Sequence, residues 1–339
     1  MLKNKEICDI ICAAKSIAIV THKNADPDAF FSAYALSRLI TILCGKEADL
    51  YFPESISAIT KRAIKNYSLK INYLSKGVKK ENYDLVFIVD TGSPEQLGEY
   101  VKLISRENVK IVLIDHHFTH EFFLKKALLY VDPEAKSTAE LIYLLFKECN
   151  VKITKNIASL LLIAILYDTR QFSIARPLTF KVASELLEIA KEYRSLASII
   201  KIPMDISEKV ARLKASMRMD LYRAGEYLIA ITNVGAYEAS AARALLDLGA
   251  DVAFVISENK AIRVSARAKH SFTKQLGVHL GKDVMVKLGK AMGGTGGGHD
   301  VAAGAEGKNV PIDYVKGLIV EILSEIFRTK GLKLTALKP

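Results

Sequence analysis

Acids and histidines recur wherever an apolar stretch of this chain ends. SIAIVTH runs into His22, Asn24, Asp26 and Asp28. YDLVFIVD ends at Asp90, VKIVLIDHH at Asp115, His116 and His117, and ALLYVDP at Asp132. The apolar run Ile157–Leu166 leads to Asp168. A lone Asp after a strand is most often a helix cap, and Asp132, next to Pro133, stays open between cap and ligand. Capping does not account for the whole set, with two adjacent histidines beside an acid. So many acids on one rim would repel each other, and a bound divalent cation removes that cost. Carboxylates with a few imidazoles and no thiolate suit Mn²⁺ or Mg²⁺, with Zn²⁺ and Co²⁺ as substitutes. Two such ions sharing a carboxylate are a recurrent device for displacement at phosphorus. His120, His270 and His279 fit no such position and read as surface or structural residues.

The elements that must position these residues alternate. Apolar strands at Ser16–His22, Tyr83–Gly92, Val109–His117 and Ala127–Pro133 are separated by helical patterns, one closed by Gly45. A helix capped by Ser137 or Thr138, with Glu140 in its first turn, follows the fourth strand, and Ile157–Leu166 reads as another helix. Near-continuous apolar strands between helices imply an α/β fold with a parallel sheet covered on both faces. In such sheets ligands bind outside the carboxyl ends of the strands, where the acids and histidines fall. The second half gives strands EYLIAITNV and DVAFVISEN around a helix, then KAIRVSARA as a hairpin partner turning at Glu258-Asn259. A helix, a glycine-rich loop (AMGGTGGGHDVAAGAEG) and a final amphipathic helix from Ile312 to Thr329 complete it. The expected organisation is a catalytic α/β domain over 1–190, a helical linker over 191–218, a smaller α/β domain over 219–330 and a tail over 331–339.

Bulk properties narrow the function classes. A chain of 339 residues fits two domains, and its composition, half apolar and a quarter charged, is that of a globular protein. No apolar run reaches the roughly 18–20 residues that span a bilayer, and the N-terminus reads as mature protein with no signal peptide. Cys8, Cys12, Cys44 and Cys149 form no C-x-x-C pair. Cys8 and Cys12, one helical turn apart, read as core packing. This usage suggests a reducing, cytoplasmic setting and no thiolate zinc site. The net charge of +11 suits an anionic partner such as nucleotide or nucleic acid, although the lysines are scattered.

Together, H-x-N-x-D-x-D (His22 to Asp28), VDTG at Asp90, the triplet Asp115-His116-His117 and YDTRQFS at Asp168 resemble the four motifs of the DHH phosphoesterase superfamily. Ser265 to Arg267 and GGGHDVAAG (Gly296 to Gly304) resemble the DHHA1 domain of its RecJ-like branch, and the plan is similar to the nanoRNase and pAp-phosphatase subgroup. The resemblance implies His22 and Asp26 on one Mn²⁺, Asp28, His116 and Asp168 on a second, and Asp90 bridging them. His117 would face the substrate, with Asp115 behind it orienting a histidine. The metals would activate a water for in-line attack on phosphorus. Glycines let the backbone approach an anion and present N–H groups to it, and Arg suits bidentate phosphate binding. Ser265, Arg267, Gly297, Gly298 and His299 are therefore expected to hold the nucleotide end.

The implied substrates are short RNA or DNA oligonucleotides, or 3′,5′-bisphosphorylated adenosine, with no membrane partner and an assembly compatible with a homodimer. A single-strand 5′–3′ exonuclease and a cyclic- or linear-dinucleotide phosphodiesterase are the alternatives. A pyrophosphatase ranks below these, and a non-catalytic nucleotide-binding protein would lack the metal ligands. Four departures from the family pattern leave every implied ligand in place and bear on substrate preference. Phe31 stands where a glycine is usual, Arg170 and Ser173 stand where Gly and Arg are frequent, and Thr295 interrupts the glycines.

Overall fold

The structure, a computed structural model, describes residues 4–106, 108–200, 204–258 and 261–337. Two compact units divide the chain, Met1–Ile202 and Pro203–Pro339.

In the first unit α1 (Asn4–Ala13) leads to β1 (Ile17–Val20), α2 (Pro27–Cys44), β2 (Ala48–Tyr51), α3 (Ala58–Asn66) and β3 (Leu85–Val89). A 3₁₀ segment (Pro94–Tyr100) and α4 (Val101–Ile104) precede β4 (Lys110–Asp115), α5 (Glu121–Lys126) and β5 (Leu128–Val131). Then come α6 (Thr138–Glu148), α7 (Lys155–Asp168), α8 (Pro177–Ala190) and α9 (Tyr193–Ile200). The sheet is parallel throughout, in the order β2-β1-β3-β4-β5. Alternate residues of its central strands enter different cores. Ile17, Ile19, Phe87 and Ile114 pack with α1, α2, α6 and α7. Ala18, Val20, Ile88 and Leu113 pack with Leu97, Leu103 and Phe123 on the other face. Burial on both faces explains why these strands read as continuous apolar runs. β2 was not anticipated: ADLY is four residues long at the sheet edge and has no apolar run to announce it.

Helix ends follow local chemistry. Asp26 caps α2 by accepting from the amides of Asp28 and Ala29, Pro27 takes the first turn, and Gly45 closes the helix at φ 65°. Phe30 and Phe31 are wholly buried, Phe30 stacking on Phe52 at 4.3 Å, so the Phe31 departure fills core. Helix α7 is apolar all round because α2 and α8 enclose it.

The cysteines differ from expectation. Cys8 is bonded to Cys149, just past α6, and Cys12 to Cys44, at the end of α2. Residues four apart share a helix face, and that face of α1 meets the ends of two other helices. Cysteine usage therefore gives no argument for a reducing compartment.

The second unit comprises α10 (Ile206–Met217), β6 (Asp220–Ala224), β7 (Tyr227–Asn233), α11 (Glu238–Asp247), β8 (Val252–Glu258), β9 (Ile262–Ala268) and α12 (His270–Leu276). A π-helical turn (Leu280–Met285), α13 (Val286–Ala291), β10 (Thr295–Gly298), β11 (Ala302–Gly307), α14 (Ile312–Thr329) and β12 (Leu334–Leu337) follow. The sheet order is β10-β11-β9-β8-β7-β6-β12, with β7–β8 its parallel pair. β8 and β9 pair antiparallel as expected, although Asn259 of their anticipated turn lies outside the described residues.

Two expected segments are absorbed into these units. The supposed linker is divided: α9 packs on α7 and α10 on α11, because each presents an apolar face to its own unit. The supposed tail supplies β12, which pairs with β6. The glycine-rich loop is a β-hairpin, its β11 strand paired to β9. A Cβ on Gly296 would lie 1.8 Å from the carbonyl oxygen of Met285, so glycine there permits backbone-to-backbone packing on the π-helical turn. Among the described residues no helix is long and apolar enough to cross a membrane.

Candidate metal centre

The carboxyl ends of β1, β3 and β4 and the end of α7 deliver their polar residues to one rim. After β1, the amide of Lys23 donates to Gln96 O (3.0 Å) and that of Asn24 to Pro53 O (3.2 Å), fixing the loop that carries His22. The His22 Nδ1 lies 2.8 Å from Lys23 O, so Nδ1–H donates there and Nε2 is the ring atom turned to the carboxylates. Nε2 is 3.8 Å from Asp26 Oδ1 and 3.6 Å from Asp90 Oδ2.

Asp90 follows β3 with φ 62°, a left-handed conformation that Asp tolerates better than most residues. Its amide donates to Ile114 O (3.0 Å), and the Thr138 hydroxyl donates to its Oδ1 (2.7 Å). The two oxygens of Asp90 therefore face different partners. Oδ2 points to His22, while Oδ1 is 3.5 Å from His116 Nε2. His116 Nε2 is also 3.2 Å from Asp168 Oδ2 and 3.9 Å from Asp28 Oδ2. Donor atoms of His22, Asp26 and Asp90 fall within 4.8 Å of one another, as do those of Asp28, His116 and Asp168. Asp90, Asp115, His116 and His117 form a third such group.

Asp115 is wholly buried, and one oxygen organises the turn after β4. Its Oδ1 accepts from the amides of His116 (2.8 Å) and His117 (3.2 Å) and contacts His117 Nδ1 at 2.8 Å. The His117 side chain remains half exposed. Gly92 is required beside this turn, since a Cβ there would meet Phe118 O at 2.2 Å.

The electrostatics show what the rim lacks. Burial pulls the His22 and His116 imidazoles down, but the carboxylates around them more than offset this and raise both to about 11. Burial, then the charges of Asp90 and Asp168, push Asp28 well above the usual carboxylate range. The amides of Thr138 (2.6 Å) and Ala139 (3.0 Å), at the start of α6, pull Asp28 the other way. Burial likewise raises Asp168. These shifts mark a concentration of negative charge that divalent cations would balance. His116 Nε2 is buried, has no hydrogen-bond partner among the described residues, and faces three carboxylates. The donor set thus fits divalent cations, which the group of His22, Asp26 and Asp90 and the group of Asp28, His116 and Asp168 would hold.

The rim opens into a cleft of about 380 Å³ lined by His22, Asp26, Asp90, Thr91, Gly92, Ser93, Gln96, His117, Phe118 and Asp168. Asp132 stays out of it, its Oδ1 accepting from the amide of Glu134 (2.9 Å) and its Oδ2 paired with Arg176 (2.7 Å). His120 caps α5, and His279 accepts from the amide of Lys282. His270 lies 3.7 Å from Asp300 at the surface. Sequence reasoning missed Thr138, which it read only as a candidate cap. The signal was the Ser137-Thr138 pair: Ser137 caps α6, which leaves Thr138 free for Asp90.

In the second unit, a cleft of about 380 Å³ lies over β9, β10 and β11. Ser265 and Gly297 line it, with Arg263, Thr295, Gly304, Glu306 and Glu238. Ser265, Gly304 and Gly297 are successive partners across three strands. A Cβ on Gly297 would meet nothing within 4 Å, so the floor is bare backbone. Arg267, Gly298 and His299 are not among the lining residues. Arg267 lies two positions beyond Ser265 on β9, opposite Ala302, and its Nε is buried without a partner. Gly298 ends β10, and the amide of His299 donates to Ala302 O (2.8 Å).

Residues 16–165 match the DHH family, N-terminal domain, and residues 225–329 match the DHHA1 domain. An uncharacterised protein of Methanocaldococcus jannaschii is 34% identical over 92% of this chain and 93% of its own length. A probable manganese-dependent inorganic pyrophosphatase of Exiguobacterium is 28% identical over 66% of this chain and 72% of its own. The cyclic-di-AMP phosphodiesterase PdeA of Listeria monocytogenes is 28% identical over 94% of this chain and 49% of its own. With these two domain matches and a relative 34% identical over 92% of the chain, the chain belongs to the DHH family and is a metal-dependent phosphoesterase.

Proposed function

We propose that the protein is a Mn²⁺-dependent phosphoesterase of small nucleotide substrates, cleaving short oligonucleotides to mononucleotides or 3′,5′-bisphosphorylated adenosine to the monophosphate. The observation that carries the chemistry is Asp90, one oxygen turned to each donor group. When bound, two cations (Mn²⁺, with Mg²⁺ or Co²⁺ as substitutes) would acidify a water and offset charge on the phosphoryl oxygens.

The chain's own residues do the rest. Asp115 holds His117 by Nδ1, which leaves Nε2 for the substrate. That hydrogen bond raises the His117 imidazole above its usual value and so favours the protonated form that can donate to a leaving oxygen. Thr138 and the α6 amides fix Asp90 and Asp28. Ser265 and Gly297, in the cleft of the second unit, are assigned to holding an anionic or sugar group, with Arg267, Gly298 and His299 close by in sequence. A nucleotide substrate is supported by the cyclic-di-AMP phosphodiesterase relative, which aligns over 94% of this chain.

The same alignment supports a second reading, a phosphodiesterase of cyclic or linear dinucleotides. One experiment separates them: initial rates with Mn²⁺ on bisphosphorylated adenosine, dinucleotides, cyclic dinucleotides, ~20-nucleotide RNA and DNA, and inorganic pyrophosphate. The leading reading expects the first two to dominate. Cleavage of pyrophosphate alone, or no cleavage of any substrate, rejects it.

A further inference from the structure

We propose that Phe118 is the nucleobase-stacking residue of the metal-rim cleft, making the enzyme selective for base-carrying phosphoesters over baseless ones. This inference rests on the nucleotide reading above and adds a specificity-determining side chain to it. Phe118 follows directly after His117 and is 93% exposed. Scattered exposed apolar residues are ordinary and need no explanation. This one lines the same cleft as His22, Asp26, Asp90 and Asp168. A phosphate-binding mouth of acids and imidazoles has no use for a large apolar ring unless part of the ligand is apolar and flat.

The backbone that carries the ring is fixed. Asp115 accepts from the amide of His117 on one side (3.2 Å), and the amide of His120 donates to Gly92 O on the other (2.8 Å). Between them Phe118 O packs so close to Gly92 that no Cβ fits there. The turn therefore displays the phenyl ring in water on a fixed backbone, which lowers the ordering cost of binding against it. Every base has a π-face, and base–aromatic stacking is tolerant of base identity. An inorganic phosphate chain offers the ring nothing. Phe118 thus supplies base selection next to the reacting phosphate.

The test pairs substrate and side chain. Wild type, Phe118→Ala and Phe118→Trp are assayed with Mn²⁺ on a dinucleotide and on bisphosphorylated adenosine, each beside a counterpart of the same sugar-phosphate frame without bases. Phe118→Ala should lower kcat/KM on the base-carrying substrates by roughly 5- to 100-fold, mainly through KM. It should leave the baseless substrates within about twofold, as for a surface residue without other roles. Phe118→Trp should restore the base-carrying rates. Equal losses on both substrate types would mean the ring only supports the turn, and no loss on either would mean it touches nothing; both overturn the inference. A wild type that cleaves neither type overturns the nucleotide reading and this inference together. One that cleaves both equally well overturns this inference alone.

Discussion

The two clefts are of similar size and are built by opposite means. The rim of the parallel sheet concentrates charged side chains, with four carboxylates and two imidazoles converging from β1, α2, β3, β4 and α7. The floor of the second cleft removes side chains, with Gly297 and Gly304 lying side by side next to Ser265. The first arrangement is costly in charge, as the raised His22, His116 and Asp28 show. The second is costly in backbone entropy, since glycine loses the most freedom on folding. Binding of a cation relieves the first cost, whereas only the rest of the fold offsets the second. The rim should therefore be sensitive to metal and proton, and the hairpin to steric change.

The largest effect that would break this contrast belongs to Asp90. Asp90→Asn keeps the shape and removes the charge shared by the two donor groups. Activity with Mn²⁺ should fall at least about 10³-fold, while urea unfolding stays a single cooperative transition. If the variant retains more than a tenth of the activity, Asp90 does not bridge. Next in size is a pair of glycine substitutions. Gly296→Ala drives a methyl to within 1.8 Å of Met285 O and should destabilise the protein by about 1–3 kcal/mol or more. Gly297→Ala, on the neighbouring residue, has open space around its Cβ and should cost under about 0.5 kcal/mol. It should still weaken substrate binding by covering the bare floor. Equal stability losses from the two substitutions would show that the hairpin is not packed as described.

The contrast also sorts what the sequence could reveal. The rim was legible because its residue types announce their chemistry and strand ends in a parallel sheet converge by topology. His22, Asp26, Asp28, Asp90, His116 and Asp168 stand out in the sequence by type and place, and the structure brings them together. The glycine segment was visible only as a motif. Glycine carries no chemistry of its own, so nothing in the text separates Gly296, which packs on Met285, from Gly297, which lies open. The loop expected there is a hairpin because its amides find partners on β9, a long-range pairing that local glycine content hides. The disulfides were illegible for a similar reason: spacing placed Cys8 and Cys12 on one helix face but could not say which helix ends that face would meet.

A third, smaller effect tests the residue that sequence reasoning missed. Thr138→Val keeps the volume and the backbone amide on Asp28 but deletes the hydroxyl on Asp90 Oδ1. Loss of a group that orients a metal ligand typically costs 10- to 100-fold in metal affinity, so the Mn²⁺ requirement should rise by roughly that factor. Calorimetric titration with Mn²⁺ reads it directly. Unchanged affinity would place Thr138 among ordinary helix-start residues and leave Asp90 held by the fold alone.

The smallest effect concerns Asp115 and His117, where the rim's charge meets the substrate side. The hydrogen bond that His117 Nδ1–H donates to Asp115 is the main cause of the raised imidazole, with burial opposing it. In the metal-free protein, Asp115→Asn should therefore bring His117 back toward the ordinary value of about 6.5, followed by NMR titration of its ring. A folded-state value above the unfolded one stabilises the protein fully below about pH 6.5, and that stabilisation fades as pH rises through the folded value. Wild type should thus exceed the variant by more at pH 5.5 than at pH 9 in urea unfolding. The amides of His116 and His117 also bond Asp115, and that part of the loss does not vary with pH in this range. The pH-dependent difference between the two proteins isolates the imidazole. A difference independent of pH would mean that Asp115 builds the turn without tuning His117, and the two clefts would then differ less in their sensitivity to protons than their linings imply.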